Sequence, residues 1–392
     1  MPELALSLHV SFKSYGMGRA PNVKPHPTIF LCGDVMTGRG IDQALSFPGD
    51  PRLYEPSIDD AQEYVKLAER ANGALPRSLG FDYIWGDTLE EFARETPDAK
   101  IINLETAITA RPTPWPAKDV HYKMNPMNLP CLTAAAIDCC VLANNHMLDW
   151  GIPGLLDTLD ALDSAAIKHC GAGRDIRQAQ APAILRTGEH SRAVVFSLGS
   201  TSSGIPEAWL ALENSPGLNL IETQSHDVVR MISKMVRNVK KSGDTVVVSI
   251  HWGSNWGYTI PDFQRVLAHR LVNEAEVNII HGHSSHHVKG IEVYKGSLIL
   301  YGCGDFLDDY EGIGGYERFR GDLGLMYFAD VDSWTGRFVA LRMVPTQTRR
   351  FRANRASKAD ADWLQQLLNR EGKPFGTRVQ QSTENLLGLE WS

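Results

Sequence analysis

An α/β fold is what this sequence predicts, on three observations. Short apolar runs recur along the chain, helical stretches stand between many of them, and several runs end in a residue able to bind a metal. No low-complexity linker interrupts the alternation, so residues 28–345 read as one domain. The most informative stretch is residues 278–290, where His281, His283, His286 and His287 follow an apolar run ending in Ile279 and Ile280. It reads as a buried strand opening into a loop whose imidazoles converge on a transition metal. The competing reading is a His-rich surface turn holding one core histidine.

Taken in order, residues 1–27 lack periodicity and read as an arm packed on the domain. The first strand, 28–32, closes in Gly33-Asp34, and residues 35–40 form a glycine-bearing loop suited to an anion. Helical patterns over 59–71 and 82–94 precede a second strand, 100–105, that ends in Glu105. Residues 110–130 are proline-rich and read as a loop, with a substrate lid as one use for it. A third strand, 137–143, runs into Asn144-Asn145-His146, and Pro153 then opens an amphipathic helix. Strand 193–198 ends without evident chemistry. Strand 245–250 delivers His251-Trp252-Gly253, and strand 297–301 runs into Gly302-Cys303-Gly304-Asp305-Phe306. Strands at 325–329 and 338–344 read as a hairpin. Ser357 with Asp360 resembles a capping box before a helix, so 346–392 reads as a helical extension packed on the domain.

Composition narrows the function. The 392 residues suffice for one large domain or two ordinary ones, and 43% apolar with 22% charged is ordinary globular usage. A formal charge of −7 argues against a nucleic-acid or anionic-membrane partner and leaves a small or oligomeric anionic substrate as the expected ligand. No apolar run is long enough to span a bilayer, and Glu3 stands where a signal peptide carries positive charge. The six cysteines include no CxxC pair and read as buried thiols. Together these predict a cytoplasmic protein without a membrane anchor.

The recurrence at strand ends carries more weight than any one motif. Asp34, Glu105, Asn145 with His146, His251, and His283 with His286 each close an apolar run. Singly, each has a plainer reading: Asp34 as a helix cap or turn, Glu105 as an exposed strand end, Asn145-His146 as a capped turn, His251 as a core histidine. Together they fit an α/β sheet gathering a metal site on one rim. Carboxylate, amide and imidazole donors without thiolate suit one or two ions of Zn, Mn or Fe.

The motifs Gly33-Asp34-Val35-Met36, Asn103-Leu104-Glu105, Ala143-Asn144-Asn145-His146, His251-Trp252-Gly253, Gly282-His283-x-x-His286 and Tyr301-Gly302-x-Gly304-Asp305-Phe306 resemble a known family. It is the bacterial capsule-synthesis CapA, or poly-gamma-glutamate capsule (PGA-cap), family, itself similar to the calcineurin-like metallophosphoesterases. The resemblance implies a four-layer α/β/β/α sandwich. It also implies metal ligands at Asp34, Glu105, Asn145, His251, His283 and His286, with His146 as the acid that protonates the leaving group and Asp34 as a catalytic ligand of the first metal. In this chain Met36 stands where phosphoesterases have His, Ser284 replaces a family imidazole, and Asp305 stands where many members have Asn.

The expected activity is a metal-dependent hydrolase in which activated water attacks a phosphoester or a gamma-glutamyl amide. Arg39, Tyr122, Lys123, Trp252 and His287 are the expected substrate contacts. The alternative is a non-catalytic protein that binds a polyanion or assembles a synthesis complex.

Overall fold

A computed structural model describes residues 26–76, 79–222, 226–382 and 384–392. The expected arm over 1–27 lies outside them except for His26 and Pro27. Among the described residues, eleven strands form one sheet and seven another.

In the first sheet, Thr28–Leu31 lies parallel to Ala99–Leu104 and antiparallel to Leu323–Val331. Asp34–Val35 continues that first strand and pairs in parallel with both Ala99–Leu104 and Asp305–Leu307. Cys139–Val141 adds to Ala99–Leu104, again in parallel. In the second sheet, Arg192–Ser200, Thr245–His251, Ile279–His283 and Ser297–Leu300 are successive parallel neighbours.

Alternation along each strand explains the layering. Ile29 and Leu31 face Val195, Val247, Ile279 and Leu298 of the other sheet, in one shared core. Phe30, Ile102 and Leu104 point the opposite way, against Phe92 and the helix residues Leu155, Leu159 and Leu162. On the far side of the second sheet, Val194, Phe196, Val246 and Val248 pack on Ile232, Val236, Leu267 and Leu271 of two further helices. Strands buried on both faces have to read as continuous apolar runs, which is how they were visible in the sequence. The result is the expected α/β/β/α sandwich.

The C-terminal segment differs from a purely helical extension. Ser357 does cap the helix Lys358–Gly372, its Oγ accepting from the Asp360 N–H at 3.2 Å. Leu364, Leu367 and Leu368 of that helix enter the core between the sheets. Thr377–Gln381 and Leu387–Trp391 then form an antiparallel pair, and the latter joins Phe338–Thr348. Only Val379, Leu387 and Leu389 bury apolar side chains there, too few to announce strands. All six cysteines are buried and free. No helix among the described residues is long and apolar enough to cross a membrane.

The turn after Ile279–His283 buries an isolated charge. Lys289 is 3% exposed, and its ammonium has no acidic partner among the described residues. Burial pulls it down from 10.5 to about 8. Between those values the unfolded chain binds more protons than the folded one, so stability rises with pH across that window. Below pH 8 the folded protein carries the whole cost, up to roughly 3 kcal/mol by the pKa difference. We therefore expect Lys289→Met to melt higher than the native chain at pH 7, with the gap closing between pH 8 and 10.5. Melting curves of both proteins across that range check this; a constant gap would be inconsistent with it.

Candidate metal centre

Parallel strands place their carboxyl ends on one rim, and here both sheets do so at the same end of the sandwich. Asp34 pairs in register with Asn103 on one side and Asp305 on the other. His251 pairs in register with His283 in the second sheet. Glu105 follows its strand by one residue and is 3% exposed.

Three of the expected ligands meet. Donor atoms of Asp34, Glu105 and His251 all lie within 4.8 Å of one another, and all three residues are buried. Asp34 Oδ1 accepts from Asn103 Nδ2 at 2.7 Å and from His283 Nδ1 at 2.6 Å, while its Oδ2 has no partner. The Oδ1 of Asn145 is likewise buried without a partner. Unpaired buried oxygens are costly unless something else satisfies them.

The charges in the cluster are mutually strained. Burial works against the Asp34 carboxylate, but charge and hydrogen bonding from His283, with His251 and Asn103 helping, hold it below the usual range. Glu105 is pushed well up, by burial first and then by Asp34 and Asp305. Burial likewise takes His251 down to about 3, the state of an imidazole with a free lone pair. Two carboxylates and a neutral imidazole, with two oxygens unsatisfied, form the donor set of a divalent cation, so the residues present fit one.

The other expected ligands stand around this cluster in different roles. His281 Nε2 donates to the Cys32 carbonyl at 2.7 Å, which leaves its Nδ1 to accept from His283 Nε2 at 3.2 Å. His283 thus has a neighbour at each ring nitrogen, Asp34 Oδ1 at Nδ1 and His281 at Nε2, and the first contact orients the Asp34 carboxylate. His286 Nδ1 sits 3.0 Å from both oxygens of Asp305. That pairing outweighs burial and raises His286 to about 9. Met36 supplies no imidazole; its buried sulfur accepts the Gly38 N–H.

A cavity of about 430 Å³ opens beside the cluster, lined by Asn145, His146 and His286. His146 Nε2 is 3.8 Å from Glu105 Oε1, and its Nδ1 is 2.6 Å from Asp149 Oδ2. Nδ1 is thus taken up by Asp149 and by Lys118 Nζ at 3.0 Å, and Nε2 faces the cluster. Burial, then Lys118 and Arg39, lower His146 well below its ordinary value. Tyr122 stacks on its ring at 3.7 Å.

Of the expected substrate contacts, Arg39 and Tyr122 line this cavity. The Arg39 guanidinium is already engaged by Asp309, Glu55 and Tyr64. The remaining three are turned into packing. Lys123 lies 3.8 Å over the Trp150 ring, Trp252 donates to the Tyr301 carbonyl, and His287 Nε2 accepts the Gly257 N–H. Sequence reasoning assigned no role to Asn103, Asp149 or Lys118, and noted Asp305 only as a departure from the family motif. Asn103 had one usable signal, its position two residues before Glu105 on the same strand.

The backbone under Asp34 is tight. A Cβ on Gly33 would fall 2.0 Å from the Gly304 carbonyl oxygen, which also accepts the Asp34 N–H at 2.9 Å. Gly33→Ala should therefore separate the strands that carry Asp34 and Asp305, lowering metal content and costing about 1–3 kcal/mol of stability. Elemental analysis and melting of the same preparation decide it; native metal content in the variant would show that this approach does not set the site.

The sequence profile of the family described as "Bacterial capsule synthesis protein PGA_cap" matches residues 28–310. The chain is 45% identical over 361 residues, 92% of its length and 95% of the other, to a Mycobacterium tuberculosis protein named "Probable polyglutamine synthesis accessory protein". It is 27% identical over 337 residues, 84% of its length and 76% of the other, to the "PGA biosynthesis protein CapA" of Bacillus subtilis. Among solved structures it is similar to a phosphatase of Mycoplasma pneumoniae, with a TM-score of 0.44, 11% identity, and coverage of 82% and 93% of the two chains.

Proposed function

The chain belongs to the PGA_cap family of bacterial capsule synthesis proteins, and from that premise we propose that it is a metal-dependent hydrolase acting on an anionic substrate. The observation that carries this is the buried Asp34–Glu105–His251 cluster, with the unpaired Asp34 Oδ2, next to a cavity whose lining residue His146 lies 3.8 Å from Glu105. Asn145, whose Oδ1 is unpaired, is the next donor available to an ion there, and His286 with Asp305 flanks it. A divalent ion bound there supplies Lewis acidity and an activated water.

The chain's own residues do the rest. Asp149 and Lys118 hold the His146 ring through Nδ1 and leave Nε2 to exchange a proton at the reacting atom. Lys118 Nζ, 3.0 Å from His146 Nδ1 and lining the cavity, brings positive charge to where an anion enters. Asn103 and His283 hold the Asp34 carboxylate in place. The relatives named for polyglutamine synthesis and PGA biosynthesis support a gamma-glutamyl amide as one substrate class; the metallophosphoesterase-like layout supports a phosphoester as the other. A scaffold role needs none of this donor set, which is why the hydrolase reading is preferred to a polyanion-binding protein.

Two substitutions separate the parts. His251→Ala removes a cluster ligand, so metal and turnover should fall together. His146→Ala should keep its metal and lose roughly 10²–10⁴-fold in rate, the usual weight of a proton-transfer residue. Both are read by elemental analysis and by turnover on a panel of phosphoesters and gamma-glutamyl peptides. Full turnover in His146→Ala would remove it from the chemistry, and full metal in His251→Ala would mean the centre lies elsewhere.

A further inference from the structure

Beside the metal cleft lies a second cavity, of about 470 Å³, that the hydrolase reading leaves unused. Asn255, His286, Tyr310 and Ile313 line both spaces, so the two share a wall. A substrate held at the cluster can extend past that wall.

The lining is aromatic and acidic. Trp256 and Tyr316 stack with centroids 4.0 Å apart and planes 4° from parallel. Asp308, on the same lining, is 4% exposed. Its Oδ1 accepts the Tyr310 N–H at 2.8 Å. Its Oδ2 has no partner, and no cation pairs with it, among the described residues. Burial, followed by Asp305, Asp309 and Glu311, makes a negative charge on it expensive as it stands. Three cations line the same cavity, and none forms an ion pair with Asp308: Arg320 is held by Asp322 and Asp360, His286 turns its Nδ1 to Asp305 and meets Asp308 only through space, and Arg349 is exposed to water.

A buried carboxylate without a counter-ion, in a cavity walled by aromatic rings, is matched to an ammonium. The carboxylate accepts its N–H donors, and ring faces attract a cation. A phosphate or a carboxylate placed against Asp308 would meet like charge there and from Asp305, Asp309 and Glu311. We infer that the second cavity binds a protonated primary amine carried by the substrate, with Asp308 accepting from the ammonium and the Trp256–Tyr316 pair beside it. As a statement about turnover this rests on the hydrolase reading, and it narrows the substrate to one with an anionic group at the metal cleft and an ammonium beyond the His286 wall. An amino-terminal residue of a peptide-like chain has that pattern; a simple phosphoester does not.

Calorimetric titration of the purified full chain at neutral pH tests it with three matched probes: 4-phenylbutylamine, 4-phenylbutanol and 4-phenylbutyrate. We expect the amine to bind at least about tenfold tighter than the alcohol, as a charge-assisted hydrogen bond implies, and the carboxylate to bind weakest. Asp308→Asn should remove that preference and leave the alcohol unchanged. Tyr316→Ala, at a residue 49% exposed in the native chain and so outside the core, should weaken the amine several-fold. Equal binding of amine and alcohol to the native protein overturns the inference, as does a folded Asp308→Asn that keeps the preference. If Asp308→Asn does not fold, the native ratio and Tyr316→Ala decide. Binding is read without turnover, so the two readings fail separately. A protein that hydrolyses nothing but prefers the amine loses only the hydrolase reading; one that turns over substrate without that preference loses only the amine site.

Discussion

The hydrogen bond from His283 Nδ1 to Asp34 Oδ1, 2.6 Å long and buried at both ends, is the interaction on which the rim depends. Asp34 belongs to one sheet and His283 to the other, so the bond fixes the two sheets against each other where the site forms. His281 adds a second crossing through the Cys32 carbonyl. Apolar packing between the sheets is non-directional and sets their separation. These two polar contacts are directional and set their alignment at the site end.

That alignment comes at a cost that the local contacts do not offset. Taking an ionised carboxylate out of water costs several kcal/mol even after relaxation. Asp34 has His283 and Asn103 as compensation, but Glu105 lies nearby with like charge and only distant cationic help from Lys118. The cluster answers by splitting: one carboxylate is held low, the other pushed high. A cation between them would let both ionise and would satisfy the unpaired oxygen of Asp34. The strain is thus evidence about purpose, since packing alone would be better served by apolar residues of the same size.

Much of this was legible because parallel strands buried on both faces must be apolar, and the residues just past each strand's carboxyl end must sit on the rim. Asp34, Glu105 and His251 were found by that logic, and the structure brings them together. The logic fails where position along a strand no longer determines direction. His287 comes one residue after His286, yet its ring stacks on Phe319 while His286 faces the cavity. The turn begins at Ser284, with φ at 87°, a conformation no periodicity announces. Lys118 and Asp149 reach His146 from a proline-rich loop and from a turn, through tertiary contacts that no spacing encodes. The strands Thr377–Gln381 and Leu387–Trp391 bury little and so left little pattern.

Asp305 shows how a departure in sequence becomes chemistry in three dimensions. Its strand pairs with that of Asp34, so a carboxylate there stands next to the cluster by construction. Met36, two residues beyond Asp34, contributes only a thioether, so this side of the centre presents an acid and no imidazole from its own strands. The acid does not stand free, because His286 turns its Nδ1 to both Asp305 oxygens and gives its Nε2 to the Asn255 side chain at 3.0 Å. His286 and Asp305 therefore act as a paired unit at the junction of the two cavities, where His286 lines both and Asp305 lines the second. The imidazole is shared by both spaces, whereas the carboxylate adds its charge to the second alone, beside Asp308 and Glu311. The first cavity draws positive charge from Lys118 as well, so the two spaces differ in the groups they present although they meet at one side chain.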